Sequence, residues 1–122
     1  MDRARFEELV REAIDELPEE FARELDNVAV VIEDEPSDEV LRSVGLDPRY
    51  DTLFGLYQGI PLPDRDHNYG GALPDKISLY SRPLRQACRT RHELRREIRT
   101  TLIHEIGHYF GMDDDEIEAL GY

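Results

Sequence analysis

A capped, amphipathic helix from about Arg91 to Phe110 is the feature that most limits how this chain can fold. Thr90-Arg91-His92-Glu93 is a capping box, in which the Thr90 hydroxyl and the Glu93 carboxylate each accept from a backbone N–H that the helix start leaves unpaired. At 100° per residue Leu94, Ile98, Leu102, Ile106 and Tyr109 share an arc of about 120°, the face for a core. Arg95 falls inside that arc and Arg99 at its edge, so these arginines must be paired or partly exposed. Gly107 weakens the helix by about 1 kcal/mol relative to Ala. Such a helix needs a partner layer, and the rest of the chain has to supply it.

The partners are short. Phe6, Leu9, Val10, Ala13, Ile14 and Leu17 recur at three- and four-residue steps among charged residues, an amphipathic helix ending near Pro18. Val28 to Ile32 is a β-branched run that reads as a buried strand, and Ser37 opens a short helix that Gly45 closes. Leu53 to Tyr57 reads as a second strand. Lys76 to Tyr80 alternates Ile77 and Leu79 with Ser78 and Tyr80, as a half-buried strand does. Between these strands, Gly59 to Asp75 holds three Pro and the pair Gly70-Gly71, which predicts a long exposed loop.

A chain of 122 residues with 39% hydrophobic residues builds one modest core, so residues 1–122 are expected to form a single domain. The longest uncharged stretch, Thr52 to Pro63, is broken by Gly55, Gly59 and Pro61, so no membrane span is predicted. The first residues lack the apolar run of a signal peptide, and Cys88 has no second cysteine to pair with; a cytoplasmic location is expected. The net charge of -13 would repel a phosphate backbone, which argues against a nucleic-acid partner.

Chemistry enters with His104-Glu105-Ile106-Gly107-His108, the H-E-x-x-H pattern. The two histidines stand one turn and about 40° apart, so both imidazoles can close on one ion, on a face turned away from the apolar arc. Glu105 lies about 60° round from His108, at a border of the core that must open to a cleft, where it can hold a water at the metal without being a ligand. A chain of this composition contains the pattern by chance only about 0.016 times. Gly111 follows three residues after His108 and Asp114 six after it. Gly111 can take a positive φ, end the helix and fold the chain back, which places Asp114 as a third ligand. Asp115 then reads as the cap of a last short helix with Glu118 three residues on, and Asp113 and Glu118 are fallback ligands. Two neutral imidazoles and one carboxylate would leave one Zn2+ with a charge of about +1 and an open fourth position. Peptide hydrolysis suits this set, with Glu105 as general base. Tyr69, Tyr109 and Tyr122 are candidate oxyanion donors.

With these residues in place, the sequence resembles the small, single-domain bacterial zincin-like metallopeptidases. The run Thr-Leu-Ile-His-Glu-Ile-Gly-His-Tyr-Phe-Gly-Met-Asp-Asp-Asp from Thr101 carries most of the likeness, with Asn27 to Pro36, Gly55 to Pro63 and Leu73 to Tyr80 adding to it. The resemblance implies zinc on His104, His108 and Asp114, with Glu105 as base. It also implies an α+β, minimal zincin-like fold, a small mixed sheet packed on the active-site helix and an N-terminal helix. In that layout an edge strand flanks the cleft; Lys76 to Tyr80 is the expected edge, along which an extended peptide would dock. Only eight residues follow Asp114, too few for a wall-forming subdomain, so short or unfolded peptides are the expected substrates.

Two functions of different class follow. One is a zinc-dependent peptidase. The alternative is a non-catalytic zincin-fold module that holds a protein partner through its sheet edge and acidic surface. Cys88 and His92 share an i, i+4 spacing but read as a buried thiol beside a surface histidine, and His67 reads as a loop residue.

Overall fold

The computed structural model describes residues 1–61 and 75–122. Asp2 caps α1 (Arg3–Asp15) through the Arg5 N–H. Pro18 turns the chain into α2 (Glu19–Ala22) and a 3-10 turn, Arg23–Asp26, that buries Phe21 under the core. Then come β1 (Ala29–Glu33), α3 (Asp38–Ser43), β2 (Gly55–Gln58) and β3 (Lys76–Tyr80), followed by α4 (Ser81–Ala87), α5 (Arg91–Tyr109) and α6 (Asp114–Ala119). The architecture is α+β, with α1 and α5 packed together and α5 lying against β2 and β3. The core joins Phe6, Leu9 and Val10 of α1 to Ile77 and Leu79 of β3 and to Leu94, Ile98, Leu102 and Ile106 of α5.

The strand order is β1-β3-β2, with β1 parallel and β2 antiparallel to β3. This corrects two expectations. Lys76–Tyr80 lies in the middle of the described sheet, not at its edge, and its residues 77 to 80 are buried on both faces. The run around Val28 to Ile32 reads as a buried strand because it is β-branched, yet β1 is an outer strand and only half-buried. Alternation reports on side-chain faces but not on which strand lies beside which.

Local signals hold better. The Thr90 hydroxyl accepts from the Glu93 N–H at 3.1 Å, and the Glu93 carboxylate accepts from Arg89 N–H at 3.0 Å, one residue before the donor of an ideal box. All five residues of the predicted apolar arc on α5 are buried. Arg95 is paired with Glu12 and Glu16 of α1, and Arg99 donates to the Glu16 carbonyl, which explains charged residues beside the apolar stripe. Helix α4 has no counterpart in the sequence reading. Pro83 looks like a breaker, but it stands in the first turn, where its missing N–H would have no helical partner.

Candidate metal centre

The site is built by the way α5 ends. Phe110 caps it and Gly111 takes φ 86°, as the spacing predicts. The Gly111 N–H donates to the His108 carbonyl and the Met112 N–H to the Gly107 carbonyl, both at 2.9 Å, the paired bonds of a Schellman turn. The reversed chain starts α6, whose cap is Asp113. Its carboxylate accepts from the Glu116 N–H at 2.8 Å, while Glu116 accepts from the Asp113 N–H at 3.3 Å. The expected cap, Asp115, is therefore displaced by two residues. Any of three consecutive aspartates can cap, and the one at 113 has a glutamate three places on that completes the box.

Asp113 is thus engaged in capping. Asp114, the first residue of α6, turns back to α5: its Oδ1 lies 3.0 Å from His108 Nε2 and 3.7 Å from His104 Nδ1. The exposed Glu118 makes no hydrogen bond or ion pair with either histidine among the described residues. What holds α6 in place is Ile117, wholly buried against Gly107. A Cβ at position 107 would lie 2.6 Å from Ile117 Cγ1, so the glycine that weakens the helix also opens the groove into which α6 docks.

Glu105 is nearly buried, its side chain 11% exposed, and is held from above. The Tyr57 backbone N–H donates to its Oε1 at 2.7 Å. Just before β2 the Phe54 carbonyl accepts from Tyr80 N–H, so by antiparallel alternation Tyr57 directs its N–H away from β3 and toward α5. Gly55 permits the approach, because a Cβ there would meet Thr101 Cγ2 at 2.6 Å and the Ser78 carbonyl at 2.9 Å. Sequence reasoning missed both contributions. A backbone donor has no residue signature, although a glycine opening a strand is a sign of close approach.

Electrostatically the site is acidic. His108 faces a carboxylate at each ring nitrogen, Glu105 at 3.3 Å from Nδ1 and Asp114 at 3.0 Å from Nε2. Carboxylates only accept, so each contact is a hydrogen bond only where the facing ring nitrogen carries a proton. The His108 pKa is raised to about 9, first by the hydrogen bond to Glu105, against the effect of burial, and further by Asp114. The same contact with His108 lowers the Asp114 pKa. Two imidazoles and a carboxylate are a zinc donor set, and their O to N separations of 3.0 and 3.7 Å bracket the roughly 3.3 Å between ligand atoms of a tetrahedral zinc site. Residue type and charge thus suit the ion, while no group of three or more His, Cys, Asp or Glu side chains among the described residues is already placed to hold one.

These groups open on a cleft of about 370 Å³ whose walls include Phe54 and Gly55 on one side and Thr101, His104 and His108 on the other. Tyr109 is buried with its ring edge-on to Tyr57, and the Tyr122 hydroxyl donates to Glu20, so neither lines this cleft. Tyr69 and His67 lie outside the described residues. Cys88 is half-buried, and burial pushes its thiol pKa up, while His92 is exposed beside Arg95.

The family of zincin-like metallopeptidases matches residues 25–122. The chain belongs to this family. A solved structure, a conserved hypothetical protein from Thermus thermophilus, is similar over 98% of this chain and 97% of its own, with 25% identity and a TM-score of 0.57. No curated protein matches the chain. Zinc and peptide hydrolysis are the chemistry that the zincin-like family implies at its general level, and the α+β layout agrees with a minimal zincin-like fold. Among the described residues no helix is long and apolar enough to cross a membrane.

Proposed function

We propose that this protein is a zinc-dependent peptidase acting on short or unfolded peptides, with one ion per chain held by His104, His108 and Asp114. The observation that carries the reading is the return of Asp114 onto the two imidazoles of a helix that also presents a nearly buried glutamate. When bound, zinc supplies Lewis acidity to the scissile carbonyl and makes an attacking water acidic near neutral pH. Glu105 is assigned to take that proton and deliver it to the leaving amine. The Tyr57 N–H fixes one of its oxygens, so the carboxylate keeps its place and proton transfer falls to the other oxygen. His108 must give up a proton to become a ligand, which couples ion binding to pH.

Since β3 is central, the peptide is assigned to the cleft between β2 and α5. An extended chain fits such a groove, with its main chain supplying much of the affinity. The test is Glu105→Gln: zinc content is expected to stay near one per chain while cleavage of a peptide library falls by about 10²-fold or more. His108→Ala should lose stoichiometric zinc. Undiminished turnover by Glu105→Gln at equal zinc content would overturn the assignment. Peptide capture that persists with no hydrolysis of any library member would instead favour the binding module, the reading that the acidic surface supports.

A further inference from the structure

We propose that Glu97 is a specificity residue of this cleft, selecting peptides with an arginine or lysine about three residues from the bond to be cut; the inference rests on the peptide-cleft reading above. Glu97 lines the cleft on α5, seven residues before His104 and so on the same helical face. Seven residues advance about 10 Å along a helix, the span of about three residues of extended peptide. Its side chain is half-buried and makes no hydrogen bond or ion pair among the described residues; the Thr101 hydroxyl donates to its backbone carbonyl, not to its carboxylate.

The neighbouring acids of this helical layer are already engaged. Glu12 and Glu16 pair with Arg95, and Glu93 accepts from the Arg89 N–H. No described Lys or Arg lines the cleft. A half-buried carboxylate without a cation regains its pairing when a guanidinium or ammonium enters beside it, and the repulsion of acidic peptides adds to the discrimination.

The probe is a set of acetylated, amidated nonapeptides of Gly, Ala, Ser and Leu with a single Arg, then a single Glu, moved through every position. Binding is read on zinc-loaded Glu105→Gln protein and cleavage on wild type, each also with Glu97→Gln. Arg at one position is expected to raise affinity and kcat/KM about tenfold over its neutral parent, and Glu97→Gln to level the two. Glu39→Gln removes the same charge from the exposed α3 and should leave the preference intact, separating a local contact from the field of an acidic protein. A flat Arg profile, or a preference that survives Glu97→Gln or vanishes equally in Glu39→Gln, overturns the proposal. Arg-selective binding that depends on Glu97, without cleavage of any peptide, would uphold this inference while the peptidase reading fell. Cleavage indifferent to Arg would do the reverse, and neither binding nor cleavage would overturn both.

Discussion

Gly107→Ala sets two forces against each other at one atom. Helix propensity alone favours the alanine by at most about 1 kcal/mol in the last turn of α5. Packing opposes it: the new methyl would lie 2.6 Å from Ile117 Cγ1, so α6 must retreat by roughly an ångström to reach an ordinary contact. Overpacking of this kind costs about 1–3 kcal/mol, which outweighs the propensity gain, and the expected net loss is about 0–2 kcal/mol. The retreat also carries Asp114 away from His104 and His108, so zinc affinity should fall by at least about tenfold even if the fold tolerates the change. Ile117→Ala supplies the second arm of a cycle. Alone it opens a cavity and costs about 2–5 kcal/mol, but it also removes the clashing atoms, leaving the Ile117 Cβ position 3.9 Å from the new methyl. Urea unfolding of the four metal-free proteins, with zinc titrations alongside, should give a favourable coupling of about 1–3 kcal/mol between the two substitutions. If Gly107→Ala instead stabilised the protein by about 1 kcal/mol with unchanged zinc affinity, the account of how α6 is docked would be wrong.

Three further outcomes follow from the same geometry. Asp114→Ala should abolish stoichiometric zinc binding, whereas Asp113→Ala, which removes only the cap of α6, should cost about 1 kcal/mol of stability and weaken zinc by a smaller factor; equal zinc loss in both would refute the division of roles. Because the folded pKa of His108 is raised from 6.5 to about 9, its contribution to metal-free stability is fully present below pH 6.5 and is lost as pH rises through about 9. Discounted for the ring's partial exposure, this amounts to about 1–2 kcal/mol, measurable by urea unfolding at pH 6.5 and 9.5 and absent in His108→Ala. Gly111→Ala should cost about 1 kcal/mol or more and lower zinc affinity, since φ 86° penalises a side chain where the chain must turn back; an unchanged melting temperature and zinc isotherm would count against it.

What was legible in the sequence is what neighbouring residues decide among themselves. Thr90 and Glu93 announce the start of α5, its five apolar residues name the buried face, and Gly111 marks its end because few residues accept that backbone. The limits of β3 were readable too, at Lys76 and Tyr80. Strand order was not, because whether Lys76–Tyr80 lies inside or outside depends on partners some 20 and 45 residues away, and side-chain alternation is silent on the matter. The three candidate ligands were visible through spacing, while the cap of α6 was misplaced because Asp113, Asp114 and Asp115 are chemically alike and only the position of Glu116 breaks the tie. The use of Gly107 was hidden for another reason: a missing side chain has meaning only beside the one that fills its space, and Ile117 comes ten residues later.

The partner that steadies Glu105 from the sheet belongs to the main chain at Tyr57. Alanine scanning would pass over it without a signal, since every residue but proline carries the same amide. A proline at 57, or an ester replacing that one peptide link, is the perturbation that would expose its contribution. Random substitution at this position can therefore alter the aromatic packing and still leave the grip on the carboxylate untouched.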